Sequence, residues 1–265
     1  MLKITDLQKT FNAGTVNAKT ALAGFDLTIK EGDFVTVIGG NGAGKSTLLN
    51  AIAGVWKPDY GKIEIDGVDV TDMAEHKRAR FIGRVFQDPM KGTAPDMEIA
   101  ENLAIAERRD VKRRLTRGCT KKNRENYREL LSQLNLGLED RLSTKVGLLS
   151  GGQRQAVTLL MATLKKPKIL LLDEHTAALD PKTAAKVLEI TDKLVTQNHL
   201  TTLMITHNMH DAIAHGNRLI MMSEGRVVVD VSGEEKKNLT IEQLLNLFEK
   251  ASGAAMMDDK VMLSK

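Results

Sequence analysis

A glycine-rich loop between two apolar segments is the feature that most restricts how this chain can fold. The loop has the pattern G-x-x-x-x-G-K-[ST], follows the apolar run 34–38 and precedes the helix-forming segment 48–53. Its residues are Gly39, Gly40, Asn41, Gly42, Ala43, Gly44, Lys45, Ser46 and Thr47. A strand, a glycine loop and a helix in this order direct backbone N–H groups and the positive end of a helix at a phosphate. The sequence therefore predicts a nucleoside triphosphate site, in which Lys45 contacts the β- and γ-phosphates and the Ser46 hydroxyl binds Mg²⁺. The alternative is a glycine-rich turn before a core helix.

Composition restricts the class of protein. The chain has 265 residues, enough for one large domain or a domain with a subdomain, and its 42% apolar and 27% charged residues are typical of a soluble globular protein. No apolar run approaches the roughly 18 residues of a transmembrane helix, and the first residues lack the layout of a signal peptide. The single cysteine, Cys119, excludes an internal disulfide and suits a reducing cytosol. Aromatic residues make up 3%, which argues against binding single-stranded nucleic acid by stacking.

The positive charge of the chain is concentrated in one segment. Between Glu107 and Arg128 there are ten Lys or Arg and three Asp or Glu, a local charge of +7. The whole chain carries +4, so the remainder is acidic at −3. Three interpretations are open: a solvated helix face, attraction to an anionic lipid surface, and binding to a phosphate backbone.

The arrangement of periodic segments predicts an α/β fold. Segments 2–5 and 25–29 alternate as half-buried strands do, so residues 1–38 are predicted to form an N-terminal antiparallel β layer that leads into the loop. Residues 71–80 are predicted to form a short polar helix, and 81–86 a strand. From about residue 94 to 148 helical periodicity replaces strands, which predicts an inserted α-helical subdomain. Apolar residues that carry this periodicity include Ile99, Leu103, Ile105, Leu130, Leu131, Leu134 and Leu136. Phe11 either stacks on an adenine ring or belongs to the core.

Polar groups that suit phosphate chemistry follow several of the predicted strands. The apolar run 169–172 ends in Asp173 and Glu174, and a strand buried on both faces would place these carboxylates beside the glycine loop. Asp173 could hold Mg²⁺ through water and Glu174 could orient or deprotonate an attacking water. Gln87, after the strand 81–86, could reach the metal or that water. His207 ends the strand 201–206 and could contact a γ-phosphate. Each assignment has an alternative. Asp173 and Glu174 could be two solvated acids after a strand, and Gln87 could be an ordinary polar loop residue. His207 could belong to a metal site with His210 and His215.

A second helix N-terminus suited to an anion lies more than 100 residues after the glycine loop. Ser150, Gly151, Gly152 and Gln153 precede an apolar helical run from 156 to 164. The backbone N–H groups and the macrodipole of that helix would face an anion. A serine and two glycines are otherwise only a cap and a turn. Later in the chain, 218–222 and 225–230 are predicted to form a hairpin, and Thr240 and Gln243 a capping box that opens a last helix.

Taken together, these motifs resemble the ATP-binding subunit of ABC transporters over nearly the whole chain. Residues 39–47 are similar to the Walker A loop, Gln87 to the Q-loop glutamine, 149–153 to the signature LSGGQ, 170–174 to Walker B with its catalytic glutamate, 178–180 to the D-loop, and His207 to the switch histidine. His175 and Ala177 stand where many members have proline and serine. Neither position supplies a catalytic group, so activity is expected. The stretch 171–181 resembles a bacterial importer subgroup that is often assigned to tryptophan or other aromatic amino acids.

The resemblance implies a fold and a division into parts. It implies a P-loop NTPase core with a mostly parallel sheet, formed by 1–93 and 149–250, with a helical insertion at 94–148 and a C-terminal tail at 251–265. It implies ATP and Mg²⁺ as ligands. Glu174, His207, Lys45 and Gln87 would act in catalysis, and Ser46, Gln87 and Asp173 at the metal. Phe11, residues 39–47, residues 150–153 and Asp180 would bind the nucleotide.

The resemblance also implies partners. Two copies of the chain would form a head-to-tail dimer, with each ATP between the loop of one copy and Ser150–Gln153 of the other. An integral membrane permease would bind this dimer, and an extracytoplasmic binding protein would deliver the substrate. The subunit would then lie peripherally at the cytoplasmic face of the cell membrane. No nucleic-acid partner is expected, although a soluble ABC-type ATPase that acts on nucleic acid or the ribosome is an alternative. An unrelated P-loop kinase is another, but it leaves residues 150–153 unexplained.

Overall fold

The computed structural model describes residues 1–111 and 118–252. Its strands are β1 (Leu2–Phe11), β2 (Lys19–Ile29), β3 (Phe34–Gly39), β4 (Tyr60–Ile65), β5 (Val68–Asp69), β6 (Ile82–Val85), β7 (Ile169–Asp173), β8 (Thr202–Ile205), β9 (Arg218–Ser223) and β10 (Arg226–Ser232). Its α-helices are α1 (Lys45–Ala53), α2 (Glu75–Arg78), α3 (Ile99–Glu107), α4 (Lys121–Ser132), α5 (Gly151–Thr163), α6 (Pro181–Asn198), α7 (Met209–Ala214), α8 (Gly233–Lys237) and α9 (Ile241–Ser252). Residues 112–117 of the basic segment and 253–265 of the predicted tail lie outside the described residues.

A six-stranded sheet forms the centre of the molecule. Its order is β10-β9-β3-β8-β7-β6, and all neighbours are parallel except the β9–β10 hairpin. Strands β3, β7 and β8 are buried almost throughout, as expected for parallel strands covered on both faces. The predicted α/β class, the mostly parallel sheet and the closing hairpin are confirmed. Since β3, β7 and β8 are adjacent and parallel, their carboxyl ends meet at one edge.

A second, antiparallel sheet covers one side of this core. Its order is β2-β1-β4-β5, which confirms the predicted N-terminal β layer and extends it by two strands. Apolar residues of β1 and β2, such as Leu2, Ile4 and Phe25, pack with α1 and with the central sheet in one cluster. This packing fixes the position of α1, and therefore of the glycine loop that precedes it.

Between residues 94 and 148 the described residues form helices and turns, apart from an isolated β-bridge between Glu98 and Lys145. Helix α3 begins with a capping box, and Leu103 and Leu131 are fully buried beside α5, whereas Ile105 is 55% exposed. Arg109 donates hydrogen bonds to the carbonyls of Ile82 and Ala162, both at 3.0 Å. Arg109 of the basic segment therefore hydrogen-bonds to the core and is not part of a solvated helix face. None of the described helices is both long and apolar enough to cross a bilayer.

Candidate active site

The glycine loop is held open by backbone conformation and by its lysine. Gly44 lies directly before α1 with φ of 98°, in the left-handed region, and a Cβ there would collide with the carbonyl of Ala21. The side chain of Lys45 is buried, and its Nζ donates to the carbonyls of Gly39 at 2.6 Å and Gly40 at 3.0 Å. Lys45 therefore curls back over the loop and places its ammonium group against the first two carbonyls of the loop.

Glu174 and His207 face this loop from the ends of neighbouring strands. Glu174 follows β7 and His207 follows β8, and the carboxylate Oε1 lies 2.5 Å from the imidazole Nε2. The two side chains and residues 41–47 line a cavity of about 280 Å³. The structure thus brings together the loop, the candidate base and the candidate γ-phosphate contact, as the strand order requires.

Asp173 and Gln87 line a second cavity beside the loop helix, of about 630 Å³. Burial raises the pKa of Asp173 above its ordinary value, and the nearby Arg84 guanidinium acts in the opposite direction. Arg84 lies 3.5 Å from the Asp173 carboxylate and donates to the Asn50 side chain at 2.8 Å. Sequence reasoning assigned Arg84 no role. The signal available was a cation on a predicted strand, three residues before Gln87.

The residues proposed for a metal supply a suitable donor set. Ser46 offers a hydroxyl oxygen, Asp173 a carboxylate and Gln87 an amide oxygen. Hard divalent cations such as Mg²⁺ prefer oxygen ligands of these kinds. The donor types of these residues therefore fit Mg²⁺, and Arg84 lies 3.5 Å from the carboxylate of Asp173.

Phe11 lies at the end of β1 and is partly exposed, so it is not a core phenylalanine. Its ring contacts Trp56 edge to face, with centroids 5.2 Å apart. Across the strand pair, Phe11 is opposite Lys19. The Nζ of Lys19 is close to Gly42, since a Cβ added to that glycine would lie 3.2 Å from it. The hairpin β1–β2 therefore brings an aromatic ring and a second ammonium group to the rim of the loop. Sequence reasoning missed Lys19, because no pattern in the chain linked it to residues 39–47. Contact of Phe11 with adenine stays a prediction.

The signature segment forms the start of α5, as predicted. Ser150 is the N-cap: its Oγ accepts from the backbone N of Gln153, and the Gln153 side chain accepts from the backbone N of Ser150, both at 3.3 Å. Among the described residues, the cavity at the glycine loop is lined by 41–47, Glu174 and His207 alone, so Ser150–Gln153 stand apart from it. Asp180 caps α6 by accepting from Thr183 N at 3.1 Å, and hydrogen bonds from the Thr183 side chain and then its backbone N lower the pKa of Asp180.

Comparison with known proteins agrees with this geometry. The family described as ABC transporter matches residues 22–177. A tyrosine transport ATP-binding protein of Clostridioides difficile (strain R20291) is 47% identical over 251 residues, which cover 95% of this chain and 100% of that protein. The spermidine/putrescine import ATP-binding protein PotA of Mesoplasma florum is 33% identical over 257 residues, covering 93% of this chain and 69% of the relative.

Solved structures of ATP-binding cassettes show the same fold. The dimeric post-hydrolysis state of the cassette MJ0796, bound to ADP and Pi, has a TM-score of 0.75 and 31% identity, covering 88% of this chain and 98% of that one. The ADP conformation of MJ1267, a cassette of an ABC transporter, has a TM-score of 0.76 and 28% identity, covering 94% and 98%. The match over more than half of the chain and the shared fold lead to one conclusion: the chain belongs to the ABC transporter family and is one of its ATP-binding subunits, an ATPase.

Proposed function

We propose that this chain powers a binding-protein-dependent importer for an aromatic amino acid by hydrolysing ATP between two copies of itself. The observation that carries the ATPase chemistry is the cavity at the glycine loop, where Glu174 and His207 face residues 41–47. The likeness to a tyrosine transport ATP-binding protein over the full length of that protein supports the importer class and the kind of substrate.

Each side chain of the site has a role that follows from its chemistry. The loop N–H groups and Lys45 neutralise the triphosphate, and the Glu174 carboxylate orients or deprotonates the attacking water. His207, held at 2.5 Å by Glu174, presents its imidazole to the γ-phosphate. Ser46, Gln87 and Asp173 would hold Mg²⁺, which supplies charge neutralisation at the phosphate oxygens.

The proposed dimer follows from the incompleteness of the site in one copy. One face of the loop cavity is open, and the signature helix N-terminus of the same copy stands apart from it. A second copy placed head to tail would bring its Ser150–Gln153 over the triphosphate, so that ATP joins the two copies. Hydrolysis and phosphate release would remove that bridge and open the dimer. The cassette MJ0796, which has the same fold, is dimeric with ADP and Pi bound.

The role of Glu174 can be tested by replacing it with an uncharged isostere. In Glu174→Gln we expect ATP binding and ATP-dependent dimerisation to persist, since the loop is untouched. Turnover should fall by about 10²- to 10⁴-fold because the general base is lost. Phosphate release and size-exclusion chromatography with Mg·ATP measure both properties. Undiminished phosphate release by this variant would contradict the assigned role.

The proposed permease-docking surface consists of residues 94–148 and the loop after Gln87. Met90, Ile105 and Leu148 are exposed apolar residues of this region, at 40%, 55% and 73% exposure. Met90 lies between Pro89 and Lys91, which line the cavity shared by Gln87 and Asp173, so a membrane protein bound there would have a route to the proposed metal ligands. A permease docked here would hold the subunit at the cytoplasmic face of the membrane, and an extracytoplasmic binding protein would supply the substrate to that permease.

Charge reversal tests this docking surface. Lys91→Glu and Asp96→Lys change exposed side chains on it, whereas Lys3→Glu changes an exposed lysine of the antiparallel sheet. We expect the first two to lose co-purification with the permease while ATP affinity stays within about twofold, because neither touches the loop. Lys3→Glu should keep both properties. Retention of the permease by the combined Lys91 and Asp96 variant would place the interface elsewhere.

A further inference from the structure

Helix α6 presents two consecutive residues, Thr191 and Asp192, and each contacts an imidazole. Thr191 contacts His175, the residue after Glu174, and Asp192 contacts His215, the residue after α7. Helix α7 begins two residues after His207. The two imidazoles therefore connect α6 to the two chain segments that carry the facing pair Glu174 and His207.

The contact of His175 with Thr191 has a defined direction. His175 is 2% exposed, and its Nε2 lies 3.0 Å from the Thr191 Oγ1. The single hydroxyl proton of Thr191 is donated to the carbonyl of Val187 at 2.8 Å. The Oγ1 can then only accept from the ring, so Nε2 carries the proton. His175 is thus the donor in this contact, which restrains the residue immediately after Glu174.

The contact of His215 with Asp192 fixes the other segment. His215 Nδ1 lies 2.7 Å from Asp192 Oδ2. The buried Lys236 donates from Nζ to the carbonyls of His215 and Gly216, so the end of α7 is held from two sides. Since α7 is only six residues long, a restraint at His215 reaches the segment at His207 through one short helix.

Helix α6 and the segments that carry the catalytic pair also share a cavity. Its volume is about 620 Å³, and Glu174, His207, Leu188, Asp192, Asp211 and His215 are among its lining residues. In addition, Glu174 has a φ of 46°, a left-handed conformation that is unfavourable for a non-glycine residue and needs support from its surroundings. Asp192 and His215 meet at this cavity. The contact of His175 with Thr191 holds the residue next to Glu174, where it can support that conformation.

We propose that Thr191 and Asp192 are positioning residues for ATP hydrolysis, which hold the Glu174–His207 pair in its facing geometry through His175 and His215. This inference rests on the catalytic roles proposed above for Glu174 and His207. Neither Thr191 nor Asp192 lines the loop cavity, so both act through the imidazoles and not on the nucleotide.

Conservative and disruptive substitutions in the full chain test the proposal. Thr191→Val removes the hydroxyl at nearly constant volume, Thr191→Ser keeps it, and Asp192→Leu removes the acceptor for His215. Misplacement of a catalytic group by about 1 Å can lower turnover by about 10²-fold. We therefore expect kcat of Thr191→Val and Asp192→Leu to fall by about tenfold or more, with KM for ATP within about twofold of wild type. Thr191→Ser, which keeps the hydroxyl, should have a kcat within about twofold of wild type.

A matched control separates positioning from a general loss of stability. Thr163 of α5 is also a buried threonine whose hydroxyl donates to carbonyls of its own helix, at 3.1 and 3.0 Å. Thr163→Val should lower the melting temperature as Thr191→Val does, yet leave kcat unchanged. A normal kcat in Thr191→Val and Asp192→Leu would overturn the proposal, as would an equal fall of kcat in Thr163→Val. Glu174→Gln is measured in parallel. If Glu174→Gln retains turnover, the proposed catalytic roles are wrong. If Glu174→Gln loses turnover while Thr191→Val has a normal kcat, only the positioning role is refuted.

Discussion

At the scale of single residues, burial decides the chemistry of the histidine next to the candidate base. His175 stands where many members of the family have proline, and its ring is enclosed. Burial lowers the pKa of His175 from 6.5 to about 4, because a charged ring would lose its hydration. The ring is therefore neutral at pH 7, and its single N–H is on Nε2, which donates to Thr191.

This shifted pKa predicts a specific pH dependence of stability. In the unfolded chain His175 binds a proton as the pH falls through about 6.5, whereas in the folded chain it does so only near about 4. The stability contribution is thus complete above pH 6.5 and is lost as the pH falls towards 4. Between pH 7 and 5 the wild type should lose about 2 kcal/mol more of its unfolding free energy than His175→Gln does. Urea denaturation at both pH values measures this difference.

The control for that experiment is His210→Gln, since His210 is exposed. It should show the wild-type loss between pH 7 and 5. An equal loss in His175→Gln and wild type would mean that another group governs the acid instability.

Single residues also show what the sequence could and could not predict at the site. Residues 39–47, Glu174 and His207 could be placed together because each follows a predicted parallel strand, and parallel strands end at one edge. Arg84 and Lys19 could not be placed, because their partners depend on strand register. Arg84 lies opposite Leu171 in the β6–β7 pair, which puts it beside Asp173, and Lys19 lies opposite Phe11. A one-residue shift in either pair would turn these side chains to the other face.

At the scale of elements, helix α1 depends on a buried arginine at its C-terminal end. Arg78 of α2 is 1% exposed and donates to the carbonyls of Ala51 and Ile52, at 2.7 and 2.9 Å. Its other nitrogens donate to the carbonyls of Met73 and Thr71. A cation there satisfies the last carbonyls of the helix and complements its negative end. The loop helix is thereby anchored at the end opposite the nucleotide.

Replacement of Arg78 should therefore destabilise the whole fold. Arg78→Met removes the guanidinium hydrogen bonds to four carbonyl groups, and we expect the free energy of unfolding to fall by about 3 kcal/mol or more. Arg78→Lys keeps the charge but not the planar fork, so its loss should be intermediate. Lys77→Met, at an exposed position of the same helix, serves as the control. Chemical denaturation measures all three, and a loss in Arg78→Met no larger than in Lys77→Met would refute this role.

The same region shows why one predicted element is shorter than expected. The polar segment 71–80 was predicted to be helical, but the helix spans only Glu75–Arg78. Thr71 forms a local turn instead: its backbone N and hydroxyl donate to Asp69, and its Oγ1 accepts from the N of Ile63. Side chains of this kind compete with a helix for backbone groups. The apolar strands were predicted more closely, because a run buried on both faces of a sheet has no such alternative.

At the scale of the whole molecule, the described residues include two helix N-termini suited to phosphate, at the glycine loop and at Ser150, and the second does not line the loop cavity. The proposed head-to-tail dimer explains this separation, because each site would take its loop from one copy and its signature from the other. Sites shared between two copies in this way give a clear prediction for mixtures of two inactive variants.

The variants are Glu174→Gln, which lacks the base, and Ser150→Arg, which blocks the signature. Each alone should be nearly inactive, since both sites of its dimer carry the defect. In a mixed dimer of the proposed type, the Ser150→Arg copy contributes an intact loop and Glu174, and the Glu174→Gln copy contributes an intact Ser150. One site per mixed dimer is then complete, so an equimolar mixture should recover up to about a quarter of wild-type phosphate release.

The mixture separates sites shared between copies from sites built within one copy. If each chain supplied both its own loop and its own signature, neither copy in the mixture would hold a complete site, and no activity would return. A control mixture of Ser150→Arg with the double variant Ser150→Arg/Glu174→Gln contains no intact signature and should stay inactive. Recovery in the first mixture alone requires that Ser150 of one copy serves Glu174 of the other. That arrangement would make closure of the dimer, and with it any work done on a permease, depend on ATP held by both chains.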